Sequence, residues 1–348
     1  MSNETRYSIL RPLTEHEQQI FVFQMFSFFS PLNYRRICKE MSWVEDKRSI
    51  RPFSIGKFLT YLEKSVGFPE PHKYMHHIQL LARNLSEHGV LTPAGNDTSA
   101  PGINQCYYTM KELTNLEKGG NGFWLGNILG ERYLRTQLAP YIVRIEGDNS
   151  EGIPGTGSGV LIASNCILTC RHNIRDMEIT SCWLGNQELK IAETLTHPKY
   201  DVGIIKIAPA VKQTVFPYLG PPYFLDKTLT LGYPPLRGMR EPLLLAQSGE
   251  INAIGTEVFS GCECITISSI TRPGNSGGPV FSLQGYIVGI VIESATSVSS
   301  TTSSDTETDS KVQFKMESPF YLAISSNTLR TAITEIDPSI LVEFENYK

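Results

Sequence analysis

The chain has 348 residues, 41% of them hydrophobic and 19% charged, with a formal net charge of −4. This is the composition of a soluble globular protein with room for two domains, and it supplies no general attraction to nucleic acid or to an anionic membrane. The charge is uneven: residues 1–137 carry 16 Lys+Arg against 13 Asp+Glu, the remainder 15 against 22, which points to two units of different character. The most apolar run, 20–29, is about half the length that a bilayer span requires. The segment 1–6 lacks a basic-then-apolar leader, so neither secretion nor membrane insertion is expected. Seven cysteines (38, 106, 166, 170, 182, 262 and 264) form no tidy framework, and Cys262-Glu263-Cys264 is too tight to clip a zinc ion. Reduced thiols in a cytoplasmic protein are the expectation.

From residue 14 to 90 the pattern is helical. The stretch 15–29 becomes apolar on nearly every face and is expected inside a helical core. Pro31 closes it, and 32–41 forms a short second helix. Ser54 caps a helix over 55–66, with Phe58, Leu59 and Leu62 on one face. Pro69 and Pro71 break the chain. Residues 73–87 then place Met75, Ile78, Leu81, Ala82 and Leu85 at helical spacing before Gly89 stops the helix. A short strand at 90–92, a polar loop over 93–104, a return strand at 105–110 and a short helix from Lys111 complete the first unit, 1–137.

This order of helix, strand, loop and strand resembles a winged-helix unit, a fold that often binds DNA. The candidate recognition helix offers only Lys73, Arg83 and histidines against Glu87, whereas a phosphate-reading face needs several Lys or Arg. Docking of a regulatory protein partner is therefore favoured over nucleic acid. His72, His76 and His77 lack a Cys, Asp or Glu at helical spacing to complete a metal site and read as a solvated face. No metal is expected.

Gly119 to Gly122 is a break, and 123–137 is a helix leading into a second unit, 138–348. From Tyr141 onward short apolar runs alternate with turns, at 142–145, 159–163, 166–170, 202–207, 229–232, 251–254, 264–268 and 286–292. Such spacing predicts an all-β sandwich or barrel. Residues 294–311 are nearly all Ser, Thr, Asp and Glu, a mobile loop by composition. A strand at 320–324 and a closing helix at 327–336 follow.

The stretch Thr271-Arg272-Pro273-Gly274-Asn275-Ser276-Gly277-Gly278-Pro279-Val280 frames one hydroxyl with three glycines and two prolines. Unshielded N–H groups of Gly274 and Ser276 can converge on one point, as an oxyanion requires; taken alone, the stretch also reads as a glycine-rich hairpin turn. A serine hydroxyl needs an adjacent base, itself held in one tautomer. The β-rich unit has two histidines. His172 ends the apolar strand that precedes it, and His197 lies in a turn before Pro198. Asp201 opens the apolar run 202–207, where a carboxylate needs a hydrogen-bonding partner.

Four blocks now stand in order: Gly155-Thr156-Gly157-Ser158-Gly159-Val160-Leu161-Ile162, Leu168-Thr169-Cys170-Arg171-His172, Tyr200-Asp201-Val202-Gly203-Ile204-Ile205-Lys206, and Pro273-Gly274-Asn275-Ser276-Gly277-Gly278-Pro279-Val280. They resemble the signature blocks of the chymotrypsin/trypsin-like serine proteases, over about 141–334. The resemblance implies two six-stranded antiparallel β-barrels with the site in the cleft between them. It makes Ser276 the nucleophile, His172 the general base and then acid, Asp201 the orienting carboxylate, and the N–H groups of Gly274 and Ser276 the oxyanion hole, with no cofactor. His197 has no counterpart and reads as a turn residue.

Asn275 departs from the secreted digestive members, whose Asp at this place pairs with a new amino terminus after zymogen cleavage; Asn cannot form that pair. In style the blocks are closer to the bacterial high-temperature-requirement proteases and their cytosolic relatives, although here the additional domain comes first. Ile270 stands where trypsin bears its pocket Asp. With Thr271, Ile292 and Ser294 it implies an apolar pocket favouring small or aliphatic residues. The function implied is a serine endopeptidase acting on protein substrates through an acyl-enzyme, controlled or recruited by its N-terminal unit. That fusion also resembles effectors of bacterial antiviral defence. The alternative is a winged-helix adaptor or DNA-binding regulator whose protease-like domain is inert.

Overall fold

A computed structural model describes residues 12–97, 103–111, 113–119, 122–239, 241–256, 261–296 and 317–345. The chain divides into two compact units, 1–115 with 127–129, and 116–126 with 130–348.

In the first unit, helix α1 (Glu15–Phe28) begins at a capping box: the Thr14 hydroxyl accepts from the Glu17 N–H, and the Glu17 carboxylate accepts from the Thr14 N–H, which satisfies two of the donors orphaned at a helix start. It is followed by α2 (Tyr34–Glu40) and by α3 (Ile55–Tyr61), whose cap is Ser54 as the sequence predicts. Helix α4 (Met75–Glu87) buries Ile78, Leu81, Ala82 and Leu85 and leaves Met75 on the surface. Phe28 organises the interior, with the rings of Phe29, Phe53, Phe58 and Tyr61 at centroid distances of 5.1, 4.8, 5.3 and 4.9 Å.

Strands β1 (Phe53–Ser54), β2 (Leu91–Asn96) and β3 (Gln105–Thr109) form an antiparallel sheet in the order β1-β3-β2. The polar loop expected from residue 93 therefore begins later, because β2 runs through Pro93 to Asn96. Proline is tolerated there because β2 is an edge strand and needs no donor on its outer side. The register shifts between Pro93 and Asn96.

The second unit starts before the expected boundary at 137. Helix α5 (Glu131–Leu138) buries Tyr133, Leu134 and Leu138, and Phe123, Leu134, Leu138 and Tyr141 share one core cluster with the β-strands. Residues 123–126 and 130–138 thus belong to this unit, drawn in by the apolar side chains of Phe123, Leu134 and Leu138.

Strands β4 (Ile142–Asn149), β5 (Pro154–Ala163), β6 (Cys166–Thr169), β7 (Met177–Leu184), β8 (Gln187–Leu189), β9 (Ile191–Thr196) and β10 (Gly203–Ile207) make a seven-stranded sheet in the order β8-β7-β4-β5-β6-β10-β9. Strands β11 (Lys227–Gly232), β12 (Leu245–Thr256), β13 (Glu263–Ile267), β14 (Pro279–Ser282), β15 (Ile287–Thr296) and β16 (Glu317–Ser325) close into a six-stranded barrel. One closed six-stranded barrel accords with the expectation; the other half is described as a sheet. The first sheet has seven strands, and its two edges, β8 and β9, are joined through Lys190 by the chain itself rather than by a hydrogen-bonded ladder. Short helix α6 (Arg171–Arg175) follows β6. Helix α7 (Ser326–Ile336), capped by Ser325, buries Leu329, Ala332 and Ile333. Of the expected mobile loop 294–311, residues 294–296 belong to β15 and the rest lie outside the described residues.

Phe123 is fully buried and meets Tyr141 edge-on at 5.7 Å. Phe123→Ala should cost about 3–5 kcal/mol, the range for a large buried ring. The check is urea unfolding followed by tryptophan fluorescence; an unchanged midpoint would place Phe123 outside the core.

Candidate active site

Antiparallel pairing explains why two distant residues meet. β6 and β10 are neighbours with Thr169 opposite Gly203, so the chain leaving β6 and the chain entering β10 lie at the same end of the sheet. Helix α6 sets His172 there, and the turn before β10 sets Asp201 there. His172 Nδ1 lies 2.7 Å from Asp201 Oδ2, and the His172 backbone N–H donates to Oδ1 at 2.9 Å. Burial pushes the Asp201 carboxyl up, but the His172 hydrogen bonds and charge, with Arg171 behind them, outweigh it and hold the group below its ordinary 3.8.

The Asp201 turn is pinned from two sides. Arg171 donates to the carbonyls of His197 at 3.4 Å and Pro198 at 3.0 Å. His197, only 2% exposed, stacks on Tyr200 with ring centroids 4.6 Å apart. Its Nδ1 accepts from the N–H groups of Lys199 and Tyr200, so Nε2 carries the proton donated to Glu335 Oε2 at 2.7 Å. Expected as an ordinary turn residue, His197 instead joins the Asp201 turn to α7.

Ser276 sits in the loop between β13 and β14, on the closed barrel. Gly277 has φ +80°, and a Cβ there would fall 2.3 Å from both the Ser158 carbonyl oxygen and Thr169 Oγ1. Only glycine fits this close approach. The Ser276 carbonyl accepts from Ser158 N–H at 2.9 Å and from Asn173 Nδ2 at 2.8 Å. Asn173 also donates to Thr169 Oγ1 at 3.0 Å. Because Asn173 follows His172, this bond brings the serine loop to the helix that carries the histidine. The Ser276 hydroxyl donates to the Ile292 carbonyl at 3.0 Å. Among the described residues, the N–H groups of Gly274 and Ser276 have no acceptor within the chain.

The expected pocket residues are less uniform. Thr271 is buried, Ile292 is half-buried and contributes its carbonyl, and Ile270 is 50% exposed rather than enclosed. The side chain of Ser294 lies outside the described residues. Beneath the site, Cys170 is fully buried and its thiol donates to the Val291 carbonyl at 3.2 Å. Burial, then the Asp201 charge, pushes that thiol well up. The ligand atoms of Cys170, His172 and Asp201 lie within 4.8 Å of one another. A protonated thiol and a carboxylate already accepting two bonds suit a hydrogen-bonded array better than a metal. Cys170 lies within the histidine block and Asn173 directly follows it, yet neither carries a local pattern that would single it out.

The close approach at Gly277 is open to a direct check. Gly277→Ala combines a forced positive φ with a backbone clash and should destabilise by about 2–5 kcal/mol, read as a lower melting temperature; a neutral result would refute the close approach. Asp201 contributes stability above its unfolded value, and that contribution is lost as pH falls through the lower folded value. Asp201→Asn should therefore flatten the loss of stability below pH of about 4, whereas an unchanged acid limb would contradict the pairing with His172.

Residues 157–290 match the trypsin-like peptidase domain family. A probable periplasmic serine endoprotease, DegP-like, from Pseudomonas fluorescens is 32% identical over 160 residues, covering 41% of this chain and 30% of that protein. A similarly named protein from Pseudomonas putida strain F1 is 28% identical over 159 residues with the same coverage. The chain thus spans under a third of the length of the curated relatives it matches. Among solved structures, a serine endoprotease from Yersinia pestis is 22% identical with a TM-score of 0.44, over 59% of this chain and 65% of that one. The active form of the Rv3671c protease from M. tuberculosis is 16% identical with a TM-score of 0.43, over 60% and 86%. Over residues 157–290, the second unit of this chain is thus similar to the trypsin-like peptidase domain.

Proposed function

We propose that the protein is a serine endopeptidase, with Ser276 as nucleophile, His172 as general base and then acid, and Asp201 as the orienting carboxylate. The observation that carries this reading is the 2.7 Å contact between His172 Nδ1 and Asp201, with the Ser276 loop tied to the next residue, Asn173. A carboxylate on Nδ1–H leaves Nε2 free of its proton and able to accept one. The Ser276 hydroxyl turns from the Ile292 carbonyl toward Nε2, passes its proton to the imidazole and bonds to the substrate carbonyl carbon. The resulting oxyanion takes the N–H groups of Gly274 and Ser276. Collapse expels the amine, which receives the proton from the imidazolium. Water then repeats the sequence on the acyl-enzyme, releasing the acid and restoring Ser276.

An apolar pocket at Ile270, Thr271, Ile292 and Ser294 would favour small or aliphatic residues at the cleaved position. The N-terminal unit is read as winged-helix-like, since α4 leads into the β2–β3 hairpin and β1 completes the sheet. Met75 and Leu80 on α4 are 39% and 41% exposed, with Arg83 as the helix's sole Lys or Arg. That surface suits a regulatory protein partner better than DNA phosphates. All seven cysteines are buried thiols, which supports a reducing, cytoplasmic setting; the periplasmic location in the relatives' names is theirs. Among the described residues no helix is long and apolar enough to cross a membrane. An antiviral effector role would be supported by a neighbouring gene for an ATPase or a pore-forming protein.

Casein hydrolysis decides the enzymatic reading. Ser276→Ala and His172→Ala should each lower turnover by at least about a thousandfold. Turnover persisting in Ser276→Ala would sink the assignment. Wild-type inertness on casein and on lysate proteins would favour the adaptor reading instead.

A further inference from the structure

The oxyanion loop needs something to hold it, because Gly274 has no side chain to restrict its rotation. Three contacts converge on one residue of β5, Ser158, which is fully buried. Its hydroxyl accepts from the Tyr233 N–H at 2.8 Å, which directs its single proton to the Gly274 carbonyl at 2.7 Å. Its own N–H donates to the Ser276 carbonyl at 2.9 Å. Ser158 thus grips the carbonyls on both sides of Asn275. The peptide between Gly274 and Asn275 is fixed at its other end too, where the Asn275 N–H donates to the Arg272 carbonyl at 2.9 Å.

Gly274 itself adopts φ +95° against a wall. A Cβ there would stand 2.7 Å from Pro235 Cδ and 2.8 Å from Pro234 Cα. Tyr233, whose N–H Ser158 holds, immediately precedes those prolines. One hydroxyl therefore fixes the Gly274 carbonyl and the segment packed on Gly274 together. With its carbonyl anchored and one side walled, Gly274 retains little freedom to turn its N–H away from the point where an oxyanion forms.

We infer that Ser158 is a positioning residue for this reaction: it sets the oxyanion hole by clamping the Gly274 peptide, without touching substrate. The inference rests on the serine-peptidase reading. A group that acts only on transition-state stabilisation changes kcat and leaves substrate binding in place. Removing an oxyanion donor outright costs about 10²- to 10³-fold, so releasing one donor from its clamp should cost somewhat less.

The test compares wild type, Ser158→Ala, Ser276→Ala and Ser326→Ala in the full chain, with fluorogenic casein and with the Gly274 amide resonance in ¹H–¹⁵N spectra. Ser326 is the control: its buried hydroxyl also donates to a backbone carbonyl, Gly220, at 2.6 Å, and its loss should lower melting temperature with kcat unchanged. Ser158→Ala should lower kcat about 10- to 100-fold with KM within about twofold, and should shift the Gly274 amide. Unchanged kcat in Ser158→Ala, or an equal kcat loss in Ser326→Ala, would overturn the clamp. If casein turnover survives Ser276→Ala, the nucleophile assignment fails instead. The Gly274 amide then decides the clamp alone, a displaced resonance supporting it and an unmoved one overturning it.

Discussion

The Ser276 carbonyl oxygen is the point at which the two β halves of the second unit are registered. It belongs to the closed barrel, yet both of its donors, Ser158 N–H and Asn173 Nδ2, come from the seven-stranded half. The same stitching continues beside it. Val291 on β15 accepts at its carbonyl from Gly277 N–H at 2.7 Å and from the Cys170 thiol. Each of these groups is buried or nearly so, and a buried polar group left without a partner costs about 1–3 kcal/mol. The halves therefore cannot slide past one another without stranding several such groups at once, and the serine loop stays opposite the histidine.

Electrostatics adds a second constraint. Asp201 is drawn out of water, and its carboxylate is kept charged by two bonds from His172 and by Arg171. Cys170, next to that charge, stays a neutral thiol. The arrangement sets the charged Asp201 carboxylate against Nδ1 of His172, where it favours the tautomer with the proton on Nδ1. His197 and Glu335 extend the support outward, so α7 bears on the turn that carries Asp201.

Much of this was legible in the sequence because the chemistry demands local blocks. A histidine at the end of an apolar strand, an acid at the start of another and a serine among glycines are short-range patterns, and the structure sets the first two in contact. What stayed hidden is long-range. Asn173 reaches a partner 103 residues away and His197 one 138 residues away, and no periodicity records such pairs. The fold shows the same limit. The apolar content of 123–138 announces a helix but not the unit against which it packs. Pro93 reads as a loop residue until β2 is known to be an edge strand. The strands β7, β8 and β9, between His172 and Asp201, are mostly half-exposed and carry no apolar run to announce them.

A nucleophile activated by the folded array around it reacts only while that array is intact. The most direct test of Ser276 in that role is the mass of the adduct formed with a fluorophosphonate, mapped by peptide sequencing in native and urea-unfolded protein. A single adduct on Ser276, in the native protein only, is the expected result. Modification of another residue in its place, or equal labelling after unfolding, would contradict it.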